Sequence, residues 1–209
     1  DLDVVVHPAR FADAIERLLD LGAEQLDLNW GLVRRQMRAE LSFVLPHGTL
    51  LDLHWHPVNG AALRRRLRWD VTELLARRRR VDVGSVRLPA LDPVDTFLHL
   101  AYHATHSGAY RLLWLADVAH GLRAAGDPAE VARRAADARL GLLVRAVTDR
   151  ADAVLDTPAG LRPLLVDPVG LRFVDHPGDV QTGTVQLGQG AEDRSGGEHR
   201  RGDADPLAG

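Results

Sequence analysis

An α+β fold is what this sequence predicts: a mixed β-sheet with flanking helices, followed by a helical bundle. Three observations predict it. Asp1-Leu2-Asp3 runs into the apolar Val4-Val5-Val6, the pattern of a buried strand. Residues 39–45 and 49–55 alternate apolar and polar side chains around Pro46-His47-Gly48, the signature of a β-hairpin. From Leu91 onward the apolar spacing changes to that of helices. The boundaries follow as an α/β domain over 1–90, a helical domain over 91–175 and a tail over 176–209.

The first strand covers residues 1–7, and Pro8 stops it and suits the first turn of a helix. Phe11, Ile15, Leu18 and Leu19 then recur at i, i+4, i+7 and i+8, an amphipathic stripe that ends near Gly22. Residues 24–29 fit a short strand, whereas 30–38, with Arg34, Arg35 and Arg38, reads equally as helix or loop. In the hairpin, Leu51, Leu53 and Trp55 share one face of the return strand and Asp52, His54 and His56 the other. Residues 60–77 hold one or two short helices. The run Arg77 to Arg80 reads as a solvated charge cluster ahead of a second hairpin, 81–83 and 86–88, turning at Gly84-Ser85.

Asp92 as N-cap, Pro93 at N1 and Asp95 at N3 open a helix that runs to about His106. Helices over about 109–124, from the capping-box-like Asp127-Pro128-Ala129-Glu130, over 140–155 and over 158–166 complete the bundle. Residues 178–209 are rich in Gly, Asp, Glu, Arg and Gln and nearly free of large apolar side chains. That composition cannot offset its own ordering entropy, so a disordered tail is expected.

Composition narrows the functional classes. The chain has 209 residues, is 45% hydrophobic and carries a formal net charge of -3. Such a balance argues against a dedicated nucleic-acid binder. With no cysteine, disulfides, thiol chemistry and cysteine-ligated zinc are excluded. No apolar run is long enough to cross a membrane and no signal peptide precedes the first strand, so a cytoplasmic protein is the default expectation. Arginine and alanine usage suggests a GC-rich genome.

The chemistry centres on acids. Asp1 and Asp3, at i and i+2 of a strand, point to one face about 6.5–7 Å apart. Neighbouring carboxylates repel, and a divalent cation is the usual reason to place them together. Asp52 lies on the polar face of a second strand and can supply a third oxygen ligand. Three such carboxylates hold one or two Mg²⁺ ions, about 3.5–4 Å apart when two are bound. The alternative for Asp52 is a buried acid paired with His54 or an arginine. His54 either lines the site and orients Asp52 or is a plain hydrogen-bonded histidine, and His56 shares its expected face. His99, His103 and His106 stand at i, i+4 and i+7, which is either a transition-metal site completed by Asp117 or a polar face turned toward the cleft. Trp55, Tyr110 and Trp114 read as core residues rather than base-stacking platforms.

These motifs resemble a known family. The strand Asp1-Leu2-Asp3-Val4-Val5-Val6 is similar to the Asp-x-Asp strand of the polymerase-beta-like nucleotidyltransferase superfamily. Leu50-Leu51-Asp52-Leu53-His54-Trp55 resembles the strand bearing its third carboxylate. The runs 97–103 and 111–117 resemble the helical half of one branch, a group of uncharacterised bacterial nucleotidyltransferases. The resemblance implies a Mg²⁺-dependent enzyme, with two ions, that moves a nucleoside monophosphate from an NTP to an acceptor hydroxyl. The acceptor is a small molecule, a protein side chain or an RNA end. Asp1 and Asp3 would ligate metal, and Asp52 would ligate metal and serve as or beside the general base; His54, His56 and His103 are candidate site-lining residues from their own positions in the sequence. The Gly-Ser turn that precedes this strand in the superfamily, and cradles the triphosphate, is not in the sequence, so an amino-terminally truncated chain that binds nucleotide poorly is expected. The rivals are a non-catalytic nucleotide- or protein-binding module of the same fold, and a metal-dependent phosphohydrolase built on His99, His103 and His106.

Overall fold

The apolar alternation of the hairpin and of the first strand builds a four-stranded sheet in the order β1-β4-β3-β2, seen in a computed structural model that describes residues 2–155. β1 (Leu2–Val5) runs parallel to β4 (Leu50–His54), and β4 is antiparallel to β3 (Glu40–Val44). β2 (Glu24–Gln25) pairs with the outer edge of β3. Parallel neighbours need a crossover. Here it passes through a 3-10 turn at Pro8–Arg10, α1 (Phe11–Asp20), β2, α2 (Trp30–Gln36) and β3. Asn29, which the sequence reading passed over, caps α2 by accepting from the Leu32 N–H at 3.0 Å, and so settles that segment as helix.

Period two separates the sheet's faces. Leu41, Phe43, Leu51 and Leu53 are buried on one, packed with Val4, Val6, Phe11, Ile15 and Leu18. The other face is left with Asp3, Glu40, Ser42, Asp52 and His54. Gly48 turns the hairpin at φ 80°, a backbone region that a Cβ disfavours.

A second core lies among helices. α3 (Ala61–Arg64) and α4 (Val71–Arg77) lead to an isolated hairpin, β5 (Arg79–Val83) with β6 (Val86–Ala90). α5 (Pro93–His106), α6 (Leu112–Ala125), α7 (Pro128–Asp137) and α8 (Gly141–Leu155) follow. Phe97, Leu98, Leu115, Val118, Val131, Leu140 and Val144 are buried together, and Val58, Leu67, Trp69 and Leu74 from the preceding segment join them. Gly121 brings α6 close to α5: a Cβ there would sit 3.0 Å from Leu100 Cδ1 and 3.4 Å from the Phe97 Cα.

Two details differ from the sequence reading. Arg77 is not part of a solvated charge run: its guanidinium donates to both oxygens of the buried Asp95, at 2.8 and 3.2 Å. Arg134 joins them, 2.6 Å from Asp92 and 3.3 Å from Asp95, because two acids buried at a helix start need cations to offset their lost hydration. Asp127 does cap α7, accepting from the Ala129 N–H, but Glu130 pairs with Arg133 and Arg134 instead of reaching back as a capping box would. The helix expected over 158–166 and the tail expected from 176 lie outside the described residues.

Candidate active site

The register of β1 against β4 sets Asp3 directly beside Asp52 on the polar face of the sheet. Adjacent strands lie about 4.8 Å apart, so the two carboxylates share one small area. Each has one oxygen engaged. Ser42 Oγ donates to Asp52 Oδ1 at 2.7 Å from the neighbouring position on β3, and His54 Nε2 donates to Asp3 Oδ1 at 3.0 Å. Among the described residues the second oxygen of each makes no hydrogen bond. Asp3 remains open, its side chain 53% exposed, whereas the His54 residue is only 7% exposed. The hydrogen bond from His54 holds the Asp3 carboxyl below the usual carboxylate range, against the opposing effect of burial.

Glu40 and Asp27 complete the polar surface, and neither stood out in the sequence. Glu40 is opposite His54 in the β3–β4 ladder, with Oε2 3.7 Å from His54 Nδ1. Burial, with the neighbouring Asp52 and Asp3 charges, pushes its carboxyl up. Asp27 accepts from the Ser42 backbone N–H at 2.9 Å and from Arg38 at 2.7 Å. The alternation of Glu40 with Ser42 already put both on this face; only their pairing with β4 shows what they meet.

From α5, His99 and His103 act electrostatically on Asp3, and Asp3 and His54 act on His99. Burial pulls the His99 imidazole down to about 4, and its Nδ1 is shielded without a hydrogen-bond partner. The three imidazoles at i, i+4 and i+7 engage three different rings: His99 meets Trp69, His103 meets Trp114 and His106 stacks on Tyr102. His56 lies past the end of β4, where its Nδ1 accepts from the Val58 N–H at 2.9 Å. Its described contacts are with that turn, the Trp55 ring, the Trp69 backbone and the Arg64 and Asp70 charges rather than with Asp52. Arg38 is spent on Asp27 and Glu40, and Arg34 donates to the Trp30 carbonyl. Trp55 donates its indole N–H to the Arg38 carbonyl and carries Arg64 over its ring at 4.6 Å. Asp1 lies outside the described residues.

Among the described residues no group of three or more His, Asp or Glu side chains is gathered as a metal site. Two in-register carboxylates with free oxygens nonetheless fit Mg²⁺, which takes one or two protein carboxylates and completes its shell with water and substrate phosphate.

A four-stranded mixed sheet with acids paired on its parallel strands, accompanied by helices, is consistent with a nucleotidyltransferase-like fold. The chain belongs to a family described as uncharacterised nucleotidyltransferases, whose model matches residues 1–156. No curated protein and no solved structure matches the chain. No helix among the described residues is long and apolar enough to cross a membrane.

Proposed function

We propose that this protein transfers a nucleoside monophosphate from an NTP to an acceptor hydroxyl, using Asp3 and Asp52 with Asp1. The observation that carries this reading is the in-register pairing of Asp3 with Asp52 on parallel strands. These carboxylates would hold Mg²⁺, which when bound neutralises phosphate charge and lowers the pKa of the attacking hydroxyl. Asp52, fixed by Ser42, keeps a free oxygen to accept the hydroxyl proton. The acceptor oxygen forms a bond to the α-phosphorus as the bond to the β-phosphate oxygen breaks, and pyrophosphate leaves. His54 keeps the Asp3 carboxylate ionised and aimed along the sheet.

The test is incubation with each NTP labelled at the α-phosphate, Mg²⁺ and a cell extract, with label transfer as the readout. Asp3→Asn and Asp52→Asn are each expected to lower transfer by at least about 100-fold with the melting temperature nearly unchanged. Full activity in either variant overturns its assigned role.

A second reading is a non-catalytic nucleotide- or protein-binding module of the same fold. It is favoured by Ser42 and His54, which already engage one oxygen of each carboxylate as they would in a purely structural network. NTP binding without transfer to any acceptor would decide for it.

A further inference from the structure

The hairpin of β5 and β6 belongs to neither core. Val81, Val83, Val86 and Leu88 are 42%, 57%, 54% and 44% exposed, and none of them joins the buried clusters of the sheet or of the helices. A two-stranded hairpin by itself is marginally stable in water and is held by a further strand or by packing.

The register shows which edge is open. Gly84-Ser85 is a two-residue turn, so the flanking Val83 and Val86 exchange both backbone hydrogen bonds. Bonded and non-bonded pairs then alternate: Val81 with Leu88 and Arg79 with Ala90 are bonded, whereas Asp82 with Arg87 and Arg80 with Pro89 are not. The N–H and C=O groups of Arg80 and Asp82 therefore point away from β6, along an edge whose residues are all exposed. Among the described residues no backbone hydrogen bond from another segment covers that edge. The outer edge of β6 is blunted, because Pro89 has no N–H to offer there.

Charge adds a second constraint. Arg80, Asp82 and Arg87 share one face of the hairpin. Asp82 pairs with Arg87 at 3.0 Å. Arg80 has no acidic partner among the described residues, and its guanidinium reaches only the Arg87 carbonyl, at 3.5 Å.

We propose that β5 pairs antiparallel with β5 of a second copy of this chain, about a two-fold axis at Val81, so that two hairpins form one four-stranded sheet. A two-fold pairing that uses the outward groups of Arg80 and Asp82 has three registers. One sets Arg80 against itself and one sets Asp82 against itself, and like charges directly opposite repel. The third sets Val81 against Val81, Arg80 against Asp82 of the second copy, and Asp82 against its Arg80. Each contact then occurs twice, as a two-fold interface requires. Across the polar face the charges run Arg87, Asp82, then Arg80 of the second copy, alternating in sign. On the other face the Val81 side chains cover each other, and Val83 lies against the aliphatic stem of the second copy's Arg79. The strand is thus complementary to itself, which selects a second copy as the occupant. The proposal is independent of the transferase reading.

The test is sedimentation equilibrium of the full chain over a range of concentrations, with circular dichroism confirming the fold of each variant. The wild-type chain is expected to dimerise reversibly, and Arg80→Glu to weaken the dimer at least about 10-fold. The double variant Asp82→Arg with Arg87→Glu keeps the pair inside the hairpin with its signs exchanged, and is also expected to be monomeric alone. An equal mixture of the two variants is expected to recover the dimer, since opposite charges then face each other at both positions. A wild-type chain that stays monomeric up to about 1 mM overturns the proposal. So does a dimer that survives Arg80→Glu, or a mixture that stays monomeric. A dimer lost in Leu88→Ser but intact in Arg80→Glu would mean that the apolar faces pack together instead, and equally overturns edge pairing.

Discussion

His54 ties the acidic strands together: Nε2 bonds to Asp3 on β1, and Nδ1 lies toward Glu40 on β3. Truncating it leaves Asp3 without its fixed partner, so the carboxylate samples rotamers that face away from Asp52. His54→Ala is expected to raise the Mg²⁺ concentration needed for half-maximal transfer several-fold. His54→Gln, which restores a donor, is expected to recover part of the loss. A merely structural histidine would change the melting temperature and leave the Mg²⁺ dependence untouched. The Asp-x-Asp spacing and Asp52 were visible in the sequence because period two fixes which residues share a face. Glu40 and Asp27 were not, because their importance comes from the β3–β4 ladder and from the Arg38 ion pair, both non-local.

Elements were legible wherever capping and periodicity agreed. Asp92, Pro93 and Asp95 start α5 as the sequence predicts, with the Asp95 N–H donating to Asp92 at 2.8 Å. Asp127 tests the same physics at an exposed helix start: Asp127→Ala is expected to cost about 1 kcal/mol in chemical denaturation. Gly121 tests contact between elements. A branched side chain there must displace Leu100 and the Phe97 backbone, so Gly121→Val is expected to destabilise by about 1–3 kcal/mol. No period or cap in the sequence marks Gly121, since its constraint is the approach of a second helix. The same applies to Tyr110: the sequence places it in the core, whereas it lies exposed just after the turn at Gly108-Ala109.

For the whole molecule, charge decides two responses. Asp92, Asp95, Arg77, Arg134 and Glu130 join α4, α5 and α7 through paired and mostly buried groups. Burial alone would raise the Asp92 carboxyl, but bonds from the Asp95 N–H and Arg134 bring it below its usual range. Asp95→Ala leaves two guanidiniums partly unpaired, and a loss of about 3 kcal/mol is expected by denaturant titration. Acid acts through His56 and His99, whose imidazoles burial depresses from an ordinary 6.5 to about 4. His56 faces the Arg64 and Asp70 charges; His99 faces Asp3, His54 and His103. Between these two values the unfolded chain takes up protons that the folded protein does not. Stability contributed by these groups is therefore complete above pH 6.5 and declines as pH falls toward 4, by at most about 1.4 kcal/mol per pH unit for each. A melting temperature that stays flat between pH 6.5 and 4.5 would contradict this.

By itself the sequence determined most of the strands and helices, the faces of the hairpin and the acids on them. These follow from local rules: side-chain period, capping and turn chemistry act over a few neighbouring residues. The tertiary structure alone decided that Asp3 stands beside Asp52, that Glu40 meets His54 on the same face, and that Tyr110 lies at the surface. Those outcomes depend on strand register and helix docking, where residues about fifty positions apart meet only because burying the apolar faces brings their polar faces together.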